Sequence, residues 1–211
     1  MYGVMEIEEN MEEPGLHQPG AESVARADLT SRWPGRIVLT GFRGTGKTTV
    51  GRLLARMLGY AFLDTDQVLE ERLGSTIAAF VQANGWEAFR RAERELLEEL
   101  ARVRRVVVAT GGGAILHRDA WERLRQGGFV VWLQADGATI GRRLAADPVS
   151  AVQRPPLSSE DPEREIEEQL ALRTPLYAAG SDLAVDSARL TPEAIVTLIH
   201  EQLVGRSARC S

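Results

Sequence analysis

The chain has 211 residues, 44% of them hydrophobic, with a mean hydropathy of −0.18, a formal net charge of −5 and a pI near 5.4. This length and apolar share suit one hydrophobic core rather than two, and the acidic balance argues against a nucleic-acid-binding surface. A single cysteine, Cys210, excludes an intrachain disulfide; no run approaches the roughly 18 apolar residues of a membrane span, so a soluble protein in the reducing cytoplasm is expected.

Residues 1–35 read as an acidic tail rich in Glu, Gly and Pro, without a sustained apolar period beyond a short helical stretch at Ser23–Leu29. Ile37, Val38 and Leu39 then form the short apolar run of a strand buried on both faces. Beyond it, Val50, Leu53, Leu54, Met57 and Leu58 keep the period of one helix face. Tyr60–Leu63 predicts a second strand running into Asp64-Thr65-Asp66, and a helix follows over Gln67–Leu73. Gly74-Ser75 breaks it. Ile77, Phe80 and Val81 predict another short helix closed near Asn84-Gly85, and Phe89, Ala92, Leu96, Leu100 and Val103 a long one over Trp86–Val103.

Val106–Ala109 is a β-branched run that empties into Gly111-Gly112-Gly113. A helix at Arg118–Arg125, a buried strand at Phe129–Leu133 and a helix at Ala138–Ala145 come next. Residues 147–162, with Pro148, Pro155, Pro156 and Pro162, form a loop long enough to be functional. Glu163–Leu172 reads as helix, Leu183–Asp186 as strand, and Pro192–Val204 as a closing helix before a C-terminal tail at 205–211. Alternating strands and helices predict an α/β fold of three layers, a mostly parallel sheet with helices on both faces.

Between the first strand and the first helix, Gly41, Gly44, Gly46, Lys47 and Thr48 fill every fixed position of the G-x-x-x-x-G-K-[ST] loop. Such a loop curls its backbone amides around phosphate oxygens at a helix N-terminus. Gly44, Thr45, Gly46, Lys47, Thr48 and Thr49 are the expected nucleotide contacts. Lys47 supplies positive charge at the β/γ-phosphates, and the Thr48 hydroxyl is a Mg²⁺ ligand.

Asp64 and Asp66 lie at the ligand edge of the sheet, where side chains at i and i+2 of an extended segment share a face. One suits Mg²⁺ or its waters and the other a general base; the competing role is a helix cap. Arg90 and Glu93 are one helical turn apart, either a solvated surface pair or an arginine at a pocket rim. The triple glycine clears side chains from a strand end where backbone could approach a ligand; the competing reading is a tight strand-to-helix turn, which rarely needs all three. Arg154 stands in the proline-rich loop and Arg173 before Thr174-Pro175; taken alone, each reads as well as a solvated or helix-end arginine. His17, His117 and His200 lack metal-ligand spacing and carry no assigned chemistry. With Asn10 and Asn84 as the only asparagines, an Asn-Lys-x-Asp base-recognition motif is absent, which argues against a GTPase.

Taken in order, these segments resemble the shikimate kinase family. The likeness is carried by Gly41–Thr48, Leu63–Asp66, Phe89-Arg90-Arg91-Ala92-Glu93, Gly111–Gly113, Arg154-Pro155-Pro156-Leu157 and Leu172–Tyr177, and spans Arg36 to Val204. The resemblance implies a P-loop kinase fold with a five-stranded parallel sheet, a helical substrate region at about 65–95 and a mobile lid at about 147–162. It implies transfer of the ATP γ-phosphoryl group to the 3-hydroxyl of shikimate by a monomer, with Mg²⁺ and with no nucleic-acid or membrane partner. Asp64 then acts on the metal side through water, and Asp66 binds the substrate hydroxyls as base. Arg90 and Arg173 grip the shikimate carboxylate, and Gly111, Gly112 and Gly113 line the substrate. Arg154 stabilises the transferring phosphate and Arg143 approaches the adenine. The chain departs from the family pattern at Trp86, where Glu is common, and at Phe80-Val81 in place of Ile-Phe, which is expected to displace an aromatic wall; the segment from Arg143 to Arg154 is slightly longer. The alternatives are a related gluconate-kinase-like enzyme and a nucleotide-binding regulatory homologue without turnover.

Overall fold

The apolar run at Ile37–Leu39 forms the centre of strand β1 (Arg36–Thr40), in which every residue is buried. The structure, a computed structural model, describes residues 33–147 and 161–207. The chain divides into two units, Met1–Trp33 and Pro34–Ser211, and all elements below belong to the second. After β1 come α1 (Lys47–Leu58), β2 (Ala61–Asp64), α2 (Thr65–Leu73), α3 (Ile77–Leu100) and β3 (Val106–Ala109). A 3-10 turn (Ala114–Leu116), α4 (Arg118–Arg125), β4 (Gly128–Gln134), α5 (Gly137–Ala145), α6 (Pro162–Ala179), β5 (Leu183–Asp186) and α7 (Pro192–Ser207) complete the order.

The five strands are all parallel, in the order β2-β3-β1-β4-β5. Burial follows position: β1 and β3 are wholly enclosed, whereas the edge strands β2 and β5 are only partly so. The pleat sorts the core into two layers. Val38, Val106, Val108, Val130 and Trp132 join Leu96, Leu97, Trp121 and Leu124 of α3 and α4 in one buried cluster. On the opposite face, Leu39 and Phe62 press on Gly51 of α1, and Phe129 lies beneath Arg206 of α7.

Leu39 and Asp64 are each in register with Ala109 of β3. The segments that follow β1, β2 and β3 therefore leave the sheet side by side, at its carboxyl edge, where ligands bind in open α/β sheets. Three bonds tie them: Thr110 donates to Leu39 O from its N–H (3.0 Å) and its hydroxyl (3.2 Å), and Gly111 N–H donates to Thr65 Oγ1 (2.8 Å).

Several expected boundaries move. Helix α2 begins at Thr65, two residues early, because the Asp64 side chain caps it by accepting from Asp66 N–H. The break expected near Gly85 is present as a left-handed glycine (φ 81°) inside α3, which ends at Leu100. Helix α6 does not stop at Leu172 but runs through Pro175 to Ala179. Proline costs one backbone bond there, and Tyr177, fully buried with its hydroxyl donating to Gly112 O at 2.6 Å, anchors the extension. Arg173 is thus inside a helix. Helix α7 takes in Gly205–Ser207 of the expected tail. The rest of the N-terminal tail with its helical stretch, the lid loop with Arg154, and Cys210 lie outside the described residues.

Arg36 opens β1 as a buried side chain. Its guanidinium donates to Leu100, Ala101 and Val103 at the end of α3, and to Leu124 and Gln126 at the end of α4, at 2.8–2.9 Å. Five carbonyls at or just past two helix ends converge on one donor fork, and of these Leu100 O also accepts from Val103 N–H (3.1 Å). Burial, then Arg104, pushes the Arg36 pKa down. Arg36→Leu removes the guanidinium donor from all five and is expected to destabilise the fold by about 3–5 kcal/mol. Urea unfolding measures this; a loss below about 1 kcal/mol would contradict the role.

Candidate active site

The loop from Gly41 to Thr48 turns out of β1 and delivers Lys47 to the first position of α1. The Lys47 side chain folds back over the loop, where Nζ donates to the carbonyls of Gly41 (2.9 Å) and Phe42 (2.7 Å). It borders a cavity of about 500 Å³ lined also by Arg43, Thr48, Asp64, Asp66 and Arg143, together with Gly44, Gly46 and Thr49. Thr45 differs from its neighbours: its hydroxyl turns inward to Phe42 O (2.8 Å), leaving only backbone for a ligand. Arg143 reaches from α5 to Gly44 O (3.1 Å) and to Ser187 O (2.6 Å) past β5, joining the phosphate loop to the far side of the sheet.

Asp64 takes the capping role and also turns its second oxygen to the phosphate loop. Its Oδ1 caps α2, while Oδ2 accepts from the Thr48 hydroxyl at 2.7 Å. Two hard oxygen donors meet at the cavity wall, a set that suits Mg²⁺, which takes few protein ligands beside phosphates and water. Asp66 does not extend the strand as expected; it lies in the first turn of α2. Both carboxylates nevertheless line the same cavity.

The triple glycine is where the remaining predicted residues meet. A Cβ on Gly111 would fall 2.7 Å from Asp66 Oδ1 and 3.0 Å from Glu93 Oε1, and one on Gly113 would collide with the Arg90 guanidinium. Gly112 O accepts from Arg173 Nη1 (3.4 Å) and from Tyr177. Asp66, Arg90 and Arg173, from three different helices, therefore converge on three consecutive glycines. Phe42 of the phosphate loop lies 5.6 Å below the Arg173 guanidinium.

Arg90 and Glu93 are not a solvated surface pair. Glu93 is buried, and its Oε2 accepts from Arg90 Nη1 at 2.5 Å and from His117 Nε2 at 2.8 Å. Burial alone raises the carboxyl pKa; the His117 bond and the Arg90 charge and bond outweigh it and hold Glu93 below the usual carboxylate range. The pairing of Glu93 with His117 was not anticipated, although His117 follows Gly113 by four residues. Arg43, at a variable position of the loop motif, was also missed. Burial lowers its pKa, Glu165 partly opposes this, and Arg173 adds to it.

A family model for shikimate kinase matches residues 43–204. The chain belongs to the shikimate kinase family. It is 44% identical over 170 residues to a shikimate kinase of Moorella thermoacetica, covering 81% of this chain and 95% of that one. A shikimate kinase of Symbiobacterium thermophilum is 40% identical over 173 residues, with 82% and 98% covered. The solved structure of the shikimate kinase from Acinetobacter baumannii in complex with shikimate aligns with a TM-score of 0.76 at 34% identity, over 82% of this chain and 94% of that one. Within this shikimate kinase fold, no described helix is long and apolar enough to cross a membrane.

The depressed Glu93 carboxyl fixes the sign of a pH effect. Its ionisation favours the folded state above the ordinary carboxylate pKa, and that contribution is lost as pH falls through the folded value. The stability gap between wild type and Glu93→Gln is expected to be widest above about pH 5 and to narrow below about pH 4. Urea titrations across this range test it, and a gap that widens toward acid would refute the assignment.

Proposed function

We propose that this chain transfers the γ-phosphoryl group of ATP to the 3-hydroxyl of shikimate, giving shikimate 3-phosphate on the way to chorismate and the aromatic amino acids. One observation carries the reading: Asp66, Arg90 and Arg173 converge on Gly111–Gly113, beside the cavity that holds Lys47 and Thr48. An alicyclic acid bearing hydroxyls matches a carboxylate flanked by two guanidinium groups. A neutral sugar would leave the positive charge of Arg90 and Arg173 without its counterpart.

In the reaction the Asp66 carboxylate takes the proton of the 3-hydroxyl as its oxygen bonds to the γ-phosphorus. The bond from that phosphorus to the β,γ-bridging oxygen breaks and ADP departs. Loop amides and Lys47 hold the charge that spreads over the phosphoryl oxygens. Thr48 and Asp64 are the residues that would hold Mg²⁺, Asp64 through water, and the ion would neutralise part of that charge. Arg90 and Arg173 fix the substrate carboxylate, and the glycine backbone lets the ring approach. Arg143 belongs to the nucleotide side, which its bond to Gly44 O supports. Arg154 enters on its motif as the lid cation. The enzyme is read as a cytoplasmic monomer acting on a small molecule, in keeping with its acidic balance.

Shikimate-dependent release of ADP is the deciding assay, run against a panel of hydroxy acids and nucleoside monophosphates. Turnover of gluconate but not shikimate would replace the substrate, and ATP binding without any turnover would replace the enzyme. Asp66→Asn is expected to lower kcat by about 10²–10⁴; near-normal turnover would remove Asp66 as base. Arg90→Ala should raise the KM for shikimate by about 10–100-fold, the scale of a lost charged hydrogen bond, with the KM for ATP near wild type. The opposite split would place Arg90 on the nucleotide.

A further inference from the structure

The proposed reaction makes no use of His117, yet this side chain is 12% exposed and joined to the acid-gripping cluster. It ends the 3-10 turn that follows the triple glycine and leads into α4. Its Nε2 lies 2.8 Å from Glu93 Oε2, the oxygen that also accepts from Arg90 Nη1. An ionised carboxylate only accepts, so Nε2 carries the hydrogen in this bond.

Glu93 stands between two structures that must agree. Its Oε2 locates Arg90, while Oε1 faces Gly111 beside Asp66 Oδ1. A carboxylate turns easily about its last torsion, whose preferences are broad. With Arg90 as its one charged donor, the Glu93 carboxylate and the guanidinium would turn together. A second donor, reaching in from the segment that carries the glycines, fixes the oxygen in space. It also takes up part of the negative charge of Glu93, so that less of the Arg90 charge is neutralised before a ligand arrives.

We infer that His117 is a positioning residue for the acid clamp: through Glu93 it fixes the Arg90 guanidinium that meets the substrate carboxylate. This rests on the shikimate reading above. The role requires an N–H donor at the reach of Nε2 and nothing else of the imidazole.

The test compares shikimate with its carboxamide, which keeps the ring and hydroxyls but lacks the charge, using the full chain with ATP and Mg²⁺. In His117→Leu the KM for shikimate is expected to rise about five- to tenfold, the worth of one hydrogen bond. Carboxamide inhibition and the KM for ATP should stay near wild type, so the preference for acid over amide falls by the same factor. His117→Gln, which restores an N–H donor at similar reach, should recover most of that preference. A Leu variant with the wild-type preference, or one that loses acid and amide equally, overturns the inference. Should the Leu variant not fold, His117→Asn, whose amide stops one bond short, is read by the same ratio. Failure of the wild type to phosphorylate shikimate would overturn the underlying reading instead, whereas a wild type that turns over beside an unaltered variant removes His117 alone.

Discussion

The site depends on bare backbone at the end of β3. Arg90 occupies the space a Gly113 side chain would need, and Asp66 with Glu93 occupies that of Gly111. Three glycines in sequence cost conformational entropy on folding, roughly 0.5–1 kcal/mol each relative to alanine in regular structure. That cost is offset locally by the bonds from Ala114 N–H to Gly111 O (3.1 Å) and from Leu116 N–H to Gly113 O (3.0 Å). Tyr177 and Arg173 add bonds from α6 to Gly112 O. The glycines thus act as a common floor on which α2, α3 and α6 all set down polar side chains.

Charge is the second constraint. Arg43, Lys47, Arg90 and Arg173 crowd toward one edge of the sheet, and the pKa of Arg43 is lowered first by burial and then, against the pull of Glu165, by Arg173. Cations gathered ahead of their anionic ligands repel one another, and burial raises the cost. Glu93 and Glu165 moderate this from within the fold. Glu93 is the stronger case, since two donors keep it ionised although burial opposes its charge. Under the proposed function, a polyphosphate and a carboxylate would supply the anions that this arrangement lacks.

Much of this was legible in the sequence, for identifiable reasons. Strands β3 and β5 and helix α4 fall where periodicity placed them, because β-branched runs and a clean amphipathic stripe leave little choice. The phosphate loop was readable because its chemistry demands fixed residues at fixed spacing. Helix α6 was cut short because Pro175 is a local signal, while the bond from Tyr177 to Gly112 O that overrides it joins residues 65 apart. His117 was passed over because its partner, Glu93, is 24 residues away. Arg36 gave no sign of its role either, since its five carbonyl acceptors lie 64 to 90 residues downstream. Spacing exposes chemistry carried by consecutive residues and hides chemistry that the topology assembles.

The departure at position 86 illustrates the difference. Phe80 and Val81, which stand where the family pattern has Ile-Phe, are partly buried against the main core cluster. An aromatic surface is instead supplied one break later. Gly85, at φ 81°, interrupts α3, and the helix resumes at Trp86. One turn on, the Arg90 guanidinium lies 5.3 Å from the indole centroid and 5.6 Å from that of Phe89, the two rings meeting edge to face at 6.0 Å. A glutamate at 86, four residues before Arg90, would set a second carboxylate against the guanidinium and compete with an acidic ligand for it. Tryptophan attracts the same cation through its ring face, by about 0.5–2 kcal/mol, and offers no competing anion. Within the proposed clamp, Trp at this position therefore keeps a contact to Arg90 while leaving the guanidinium more open to a carboxylate.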